Sequence, residues 1–294
     1  NMISLNEVLF VGMSKNCIST LKENIIFLEE FQKKTNLQMK IAVIDSDSDD
    51  GTKSYCKELL DSKRLHYFIE IDSLEQKYDS RIQRLAICRN EALKLVDKCI
   101  DDNLIYIPMD MDINLFKHMT TEQLEDTINF LINEKDIEGL FPFSIPFYYD
   151  IFALRKTGWV DENNLLIARK LKDKYKLFSF IFNYYFIFRK QLSPEKFDEK
   201  LIPVKSAFGG VGMYKIEKKN IKSLKYSHDE EAIDYVTEHL SFNLSFKNLF
   251  IYSDWNIEAP NEYIFWNSFS LFEKLIYISK SIKNDLKVFF KRKN

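Results

Sequence analysis

Glycine is scarce in this chain, seven among 294 residues, and proline numbers only six. That scarcity excludes a collagen-like fibre, a repeat array and a Gly-rich linker protein. The four cysteines, Cys17, Cys56, Cys88 and Cys99, are scattered and form no Cys-x-x-Cys pair or Cys/His cluster. A structural zinc site or disulfide framework is therefore not expected, and a reducing cytoplasm is the natural compartment. The formal net charge is −2, without the basic surplus of a nucleic-acid binder, so no nucleic-acid partner is expected. No stretch reaches the roughly 18 uncharged apolar residues that would span a bilayer. The start, Met2-Ile3-Ser4-Leu5-Asn6-Glu7, has no basic segment followed by an apolar one, and Asn1 is set aside as an added residue. A cytoplasmic protein is expected, unless its end attaches it to a membrane face.

What is present is a core. The chain is 46% hydrophobic, 15% aromatic and 29% charged, which excludes a disordered chain and fits one large α/β domain or two small ones.

The first half alternates short apolar runs with helical periodicity. Glu7–Gly12, Met39–Ile44, Leu65–Ile71 and Leu104–Pro108 read as strands. Between them, Ile18–Phe31, Thr52–Leu60 and Arg81–Val96 carry apolar residues at helical spacing. Such alternation predicts βαβ units, a mostly parallel sheet and helices on both faces. Ligands in these sheets bind at the carboxyl ends of strands, where Gly12, Asp45 and Asp110 fall. In the second half, Gly139–Ala153 reads as strand and loop, Tyr175–Arg189 as an aromatic helix and Ser223–Leu240 as largely helical. Met213–Ile216 and Asn248–Ser253 read as strands. Ser270–Asn294 has apolar residues at 271, 275, 278, 282, 286 and 289 among many lysines, a basic amphipathic helix.

Asp110-Met111-Asp112 follows directly on a strand. Two carboxylates at i and i+2 in a bend can converge on one hard divalent cation, Mn²⁺ or Mg²⁺, which commonly bridges carboxylates to substrate phosphates. Taken alone, Asp-x-Asp is more often a solvated turn; its place after three βα units, with Asp45 at the end of an earlier strand, favours chemistry.

In order along the chain, several segments resemble a GT-A nucleotide-sugar-dependent glycosyltransferase. They are Phe10-Val11-Gly12 with Asn24, the stretch Val43–Thr52, the stretch Arg81–Leu93 that contains Arg89-Asn90, and Asp110-Met111-Asp112. Tyr149–Arg155, Phe208-Gly209-Gly210 and Glu238-His239 follow. The set is most similar to the capsule-associated mannosyltransferases of fungi and their bacterial relatives in surface-polysaccharide synthesis. The resemblance implies a GT-A, Rossmann-like sheet over residues 2–255, with a nucleotide-sugar-binding half (2–112) and an acceptor half (113–255). Residues 256–294 lie outside the resemblance and are expected to form a helical tail.

It also implies roles. Asp110, Asp112 and His239 would hold Mn²⁺ or Mg²⁺; Gly12, Asp45, Arg81, Arg89 and Asp110 would contact the UDP- or GDP-linked donor. Asp150 and Glu238 would be catalytic, and Tyr149, Arg155, Gly209 and Gly210 would line the side of a saccharide or lipid-linked glycan acceptor. Physical chemistry agrees in part: an Asp accepts from a ribose hydroxyl, and a guanidinium pairs with a phosphate or a metal-site carboxylate. Retention follows from the resemblance, whereas Asp150 acting as a base would suit inversion. The alternatives are nucleotidyl transfer onto a sugar phosphate and a non-catalytic glycan-binding protein on a transferase fold. The tail has three readings: contact with the inner leaflet, docking on the protein's own core, or a contact between two copies.

Overall fold

In the computed structural model, which describes residues 7–175, 178–228 and 236–291, strand β1 (Glu7–Ser14) is buried at every position. A strand so apolar belongs in the middle of a sheet covered on both faces. Alternation divides it: Leu9, Val11 and Met13 enter one core and Val8 and Phe10 the other. The chain then runs through α1 (Ile18–Lys34), β2 (Gln38–Ser46), α2 (Thr52–Asp61), β3 (Tyr67–Ile71), α3 (Leu74–Lys77), α4 (Arg81–Leu93) and β4 (Asn103–Asp110). The second half is α5 (Thr121–Asn133), β5 (Gly139–Ile145), α6 (Asn164–Tyr175), α7 (Ser179–Phe186), β6 (Leu201–Val204) and β7 (Met213–Glu217), then α8 (His239–Asn243), β8 (Leu249–Glu258), α9 (Asn261–Ser268) and α10 (Leu271–Lys291).

The described residues form one eight-stranded sheet, in the order β3-β2-β1-β4-β7-β5-β8-β6. β3, β2, β1 and β4 are mutually parallel, as is the pair β5–β8. β7 runs antiparallel to β4 and β5, and β6 antiparallel to β8. α4 supplies Ala86, Cys88 and Ala92 to one core, while α1, α2 and α5 cover the other face through Leu21, Cys56 and Leu124. The α/β class with a parallel centre and helices on both faces is as expected. From β1 the chain winds outward to β2 and β3, then returns to place β4 on β1's other side. That reversal opens a crevice beyond the carboxyl ends of β1 and β4.

Three expectations change. The Tyr175–Arg189 segment is not one helix: α6 ends at Tyr175 and α7 spans Ser179–Phe186. The expected helix over Ser223–Leu240 is absent from its described part, where 224–228 have no regular structure and α8 begins only at His239; residues 229–235 lie outside the described ones. The reason is local competition. The Asn90 side chain donates Nδ2 to the Tyr226 carbonyl at 2.8 Å and accepts from the Tyr226 N–H at 3.0 Å, taking both groups a helix would pair. Lastly, β8 runs to Glu258, past the expected boundary at 255/256, and Trp255 and Ile257 lie in the same core.

Candidate active site

The Asp110-Met111-Asp112 turn is shaped by its middle residue. Met111 is fully buried, and its side chain fills the space beside Gly12, where an added Cβ would stand 2.5 Å from Met111 Cγ. With Met111 turned inward, Asp110 and Asp112 are left on the crevice side. The backbone is pinned on all sides: Met111 N–H donates to the Met13 carbonyl at 2.9 Å and Asp110 N–H to the Gly210 carbonyl at 2.7 Å. Thr20 Oγ1 donates to the Met111 carbonyl at 2.6 Å. The buried Asn24 clamps the following segment, donating to the Ile113 carbonyl at 2.8 Å and accepting from Leu115 N–H at 3.1 Å.

Asp112 stands exposed at the rim. Desolvation by the surrounding crevice and then repulsion from Asp110 carry its carboxyl up to about 6. Asp110 has a different partner. Arg89, on α4 and 1% exposed, donates Nη2 to Asp110 Oδ1 at 2.6 Å and Nε to Glu238 Oε1 at 2.8 Å. Burial alone would lower the guanidinium's pKa; the two carboxylates more than offset it and hold the charge. Its Nη1 makes no hydrogen bond among the described residues, and its Cζ lies 4.8 Å from the centre of the Phe208 ring. His239 stacks on the same ring at 3.7 Å. Neither imidazole nitrogen has a hydrogen-bond partner among the described residues, and Nε2 sits 3.4 Å from Glu238 Oε1. Burial and then the Arg89 charge push His239 well below the usual range, so the ring is neutral.

Two cavities meet at the Asp-x-Asp turn. The first, about 290 Å³, is bounded by Asp110 and Asp112, by Arg81 and Arg89 of α4, and by Tyr149, Asp150 and Gly210. Glu238 and His239 close its floor, and Leu165, Ile187, Gln191 and Tyr263 extend its far wall. The second, about 280 Å³, shares Arg81, Asp110 and Asp112 and runs along the ends of β1 and β2, past Ser14, Lys15, Ser46 and Arg84. Glu75 pairs with Lys15 across its mouth and lies 3.8 Å from Arg84 Nη2. Asp150 is half-buried, and its carboxylate accepts from Gly209 N–H at 2.8 Å and Ala153 N–H at 3.1 Å. Burial raises its pKa, and these hydrogen bonds pull against the shift. Gly209 and Gly210 adopt φ of +71° and +89°, a region that favours glycine. A Cβ on Gly210 would press on Ile113 Cδ1 at 3.0 Å.

Nine of the expected site residues thus share the first cavity's wall: Arg81, Arg89, Asp110, Asp112, Tyr149, Asp150, Gly210, Glu238 and His239. Four line neither cavity. Gly12 is small because Met111 fills its space. Asp45 is fully buried; its oxygens accept from Ser14 Oγ at 2.9 Å and Ser48 Oγ at 2.6 Å, so it ties β1 to the loop after β2. Arg155 caps nearby carbonyls, donating Nη1 to Phe152 O and Leu154 O. Gly209 acts through its N–H on Asp150. Lys15, Gln191 and Tyr263 were not foreseen, and only their shared cavity walls reveal them.

The expected metal set assembles in part. Asp110 and Asp112 supply hard oxygen donors in one turn; their mutual repulsion, second to desolvation in raising the Asp112 pKa, is what a divalent cation would relieve. The pair therefore fits such an ion. Among the described residues, no three His, Cys, Asp or Glu side chains group into a metal site. His239 is held away by its stack on Phe208, with the Arg89 guanidinium bridging Asp110 to Glu238.

No family model matches the chain, and no curated protein matches it. Solved structures with a similar fold include a mannosyltransferase from Pyrobaculum calidifontis in complex with GDP-Man and Mn²⁺. It is 14% identical, with 88% of this chain and 59% of that one covered, at a TM-score of 0.47. S. aureus TarS 1-349 in complex with UDP-GlcNAc is 14% identical over 85% of this chain and 57% of its own, at 0.45. Glucosyl-3-phosphoglycerate synthase from Mycobacterium tuberculosis, with Mn²⁺, UDP and glucosyl-3-phosphoglycerate, is 13% identical over 86% and 71%, at 0.41. This chain thus spans less than two thirds of the length of the first two. At such distances the likenesses carry no functional assignment; that comes from the site.

Proposed function

We propose that the protein is a GT-A-type glycosyltransferase, moving a hexosyl unit from a UDP- or GDP-linked donor to a saccharide hydroxyl. Within that class we read it, from its sequence resemblance to the capsule-associated mannosyltransferases and their bacterial relatives, as an enzyme of capsule, lipopolysaccharide or other surface-glycan synthesis at the cytoplasmic membrane face. The observation that carries the proposal is the position of Asp110 and Asp112 on the boundary of two cavities that meet at the strand-order reversal. A nucleoside diphosphate needs cations along its phosphates and a wall for its nucleoside. The second cavity offers Lys15, Arg81 and Arg84 beside the ends of β1 and β2.

Asp110 and Asp112 would hold Mn²⁺ or Mg²⁺. When bound, the ion supplies Lewis-acid neutralisation of the charge that develops on a leaving diphosphate. Arg81 lines both cavities and stands where it can pair with that diphosphate. Asp150, across the first cavity, is fixed by Gly209 and Ala153 and turns its carboxylate toward the acceptor side, where it orients the incoming hydroxyl. Glu238 is already engaged by Arg89. Its role is to hold that guanidinium, and through it Asp110, rather than to move a proton. Tyr149 lies against Tyr263 with ring centres 5.4 Å apart, giving an aromatic wall on the acceptor side.

Calorimetry with UDP, GDP and their common sugar conjugates, in Mn²⁺ and then in EDTA, tests this function. Metal-dependent binding of one nucleotide class supports it and selects the donor. Absence of binding to all of them in Mn²⁺ contradicts it.

A further inference from the structure

Helix α7 reads Ser179-Phe180-Ile181-Phe182-Asn183-Tyr184-Tyr185-Phe186, apolar around nearly its whole circumference, yet none of its residues is buried. A helix of that composition belongs in a core. Here Ile181, Tyr184 and Tyr185 are 53%, 44% and 52% exposed. The helix is anchored through Phe180, whose ring lies 5.0 Å from Trp266 and 6.2 Å from Tyr277 of α10.

α10 repeats the anomaly. Its apolar stripe includes Leu271, Leu275, Ile282 and Leu286, all exposed. A different face is docked: Tyr277 packs on Phe265, Lys274 lies over the Trp266 ring, and buried Asp285 accepts from Ser179 N–H at 2.9 Å. At 3.6 residues per turn the two faces are about a quarter-turn apart. Among the described residues the stripe is therefore left without a partner. Beyond it stand Lys280, Lys283 and Lys287, all exposed. The helix carries five lysines against Glu273 and Asp285, on a chain whose net charge is −2. On the α7 side, the Arg189 guanidinium lies 4.6 Å from the Tyr185 ring centre.

An exposed apolar strip, tyrosines beside cations and a flanking row of lysines together match the chemistry of an anionic bilayer surface. A second copy of the chain would bring lysine rows into each other's field, which disfavours that occupant. We infer that α7 and α10 form one platform that seats on an anionic leaflet, the apolar side chains at the acyl boundary and the lysines among the headgroups. This adds α7 to the expected contact by the tail and fixes which face of α10 is used. The platform also adjoins the cleft: Ile187, immediately after α7, and Leu165 of α6 line the cavity that holds Asp110 and Asp112. For a glycosyltransferase, that adjacency means an acceptor saccharide whose lipid stays in the leaflet. This last step rests on the proposed function; the leaflet contact does not.

The test is flotation of the full chain, without nucleotide, on phosphatidylcholine vesicles with and without phosphatidylglycerol. Wild type is expected to float with the anionic vesicles only, less so as salt rises. Lys280→Gln/Lys283→Gln/Lys287→Gln lowers partitioning on the order of 100-fold at low salt. Ile181→Ser/Tyr185→Ser lowers it roughly tenfold or more and leaves the salt dependence in place. The lysines are solvated, so their variant decides the matter if the apolar one misfolds by circular dichroism. Wild type that stays behind, or a lysine variant that floats as wild type does, overturns the platform. So does a wild-type dimer that Ile181→Ser/Tyr185→Ser disperses while neither protein floats, which assigns the face to a second copy. Calorimetry on the same preparation separates the two proposals: donor binding without flotation removes the platform alone, and flotation without donor binding removes the transferase alone.

Discussion

Arg89 and Glu238 stand 149 positions apart in the chain and meet at 2.8 Å, Nε donating to Oε1, with both side chains almost wholly buried. The same guanidinium reaches Asp110 at 2.6 Å. One side chain thus ties the end of β4 to the start of α8, across the floor of the cleft.

Removing that tie leaves a buried carboxylate without its cation. Arg89→Ala is expected to destabilise the fold by about 3–5 kcal/mol, and Arg89→Lys recovers only part because one ammonium lacks the planar fork that reaches both carboxylates. Urea denaturation measures both. An Arg89→Ala protein as stable as wild type would show that the pair contributes nothing.

Gly12 and Met111 are predicted to be coupled. A Cβ at position 12 would meet Met111 Cγ at 2.5 Å, so Gly12→Ala is expected to destabilise by about 1–3 kcal/mol and to shift the Asp-x-Asp turn. Met111→Ala removes the clash, so the double variant should be more stable than the sum of the single effects, by at least about 1 kcal/mol. Strict additivity in denaturation would refute the contact.

Asn24 holds the segment after the turn by two hydrogen bonds. Asn24→Ala strands the buried Leu115 N–H and is expected to cost about 1–3 kcal/mol. Mn²⁺ affinity should fall as well, since the turn loses its outer support. A thermal melt with an Mn²⁺ titration reads both effects; an unchanged melt would contradict the clamp.

The four cysteines are buried and free, and burial pushes the Cys17, Cys56 and Cys99 thiols up to about 12. At pH 8 each would be thiolate in about one molecule in ten thousand, so Ellman's reagent should react with none in the native protein and all four in denaturant. The sign for stability follows: above about pH 9 the unfolded chain loses thiol protons that the fold retains, and stability falls as pH rises. Prompt labelling of the native protein would contradict the burial.

The layout of the sheet was legible in the sequence because local signals and tertiary demand agree there. Glu7–Gly12 reads as a buried strand, and the structure extends it only to Ser14. Likewise Arg81 begins a helix in both sequence and structure. What escaped depends on contacts distant in sequence. Gly12 has the look of a ligand-approach glycine until Met111, ninety-nine positions later, is seen to fill its space. The helical periodicity after Ser223 yields to Asn90, 136 positions from Tyr226. Asp45 sits at a strand end as expected, yet two serines consume it. α5 carries a signal left unused, the reciprocal Thr120–Gln123 capping box. In α10 the amphipathic stripe was plain, but which face docks is a property of the packing.

Mn²⁺ binding to the full chain, followed by electron paramagnetic resonance with and without UDP or GDP, tests the central claim most directly. Asp110 and Asp112 at the junction of two cavities predict that one nucleoside diphosphate tightens Mn²⁺ by about tenfold or more, and that Asp112→Asn abolishes the gain. Equal Mn²⁺ affinity with and without both nucleotides, or a gain that survives in Asp112→Asn, would contradict it.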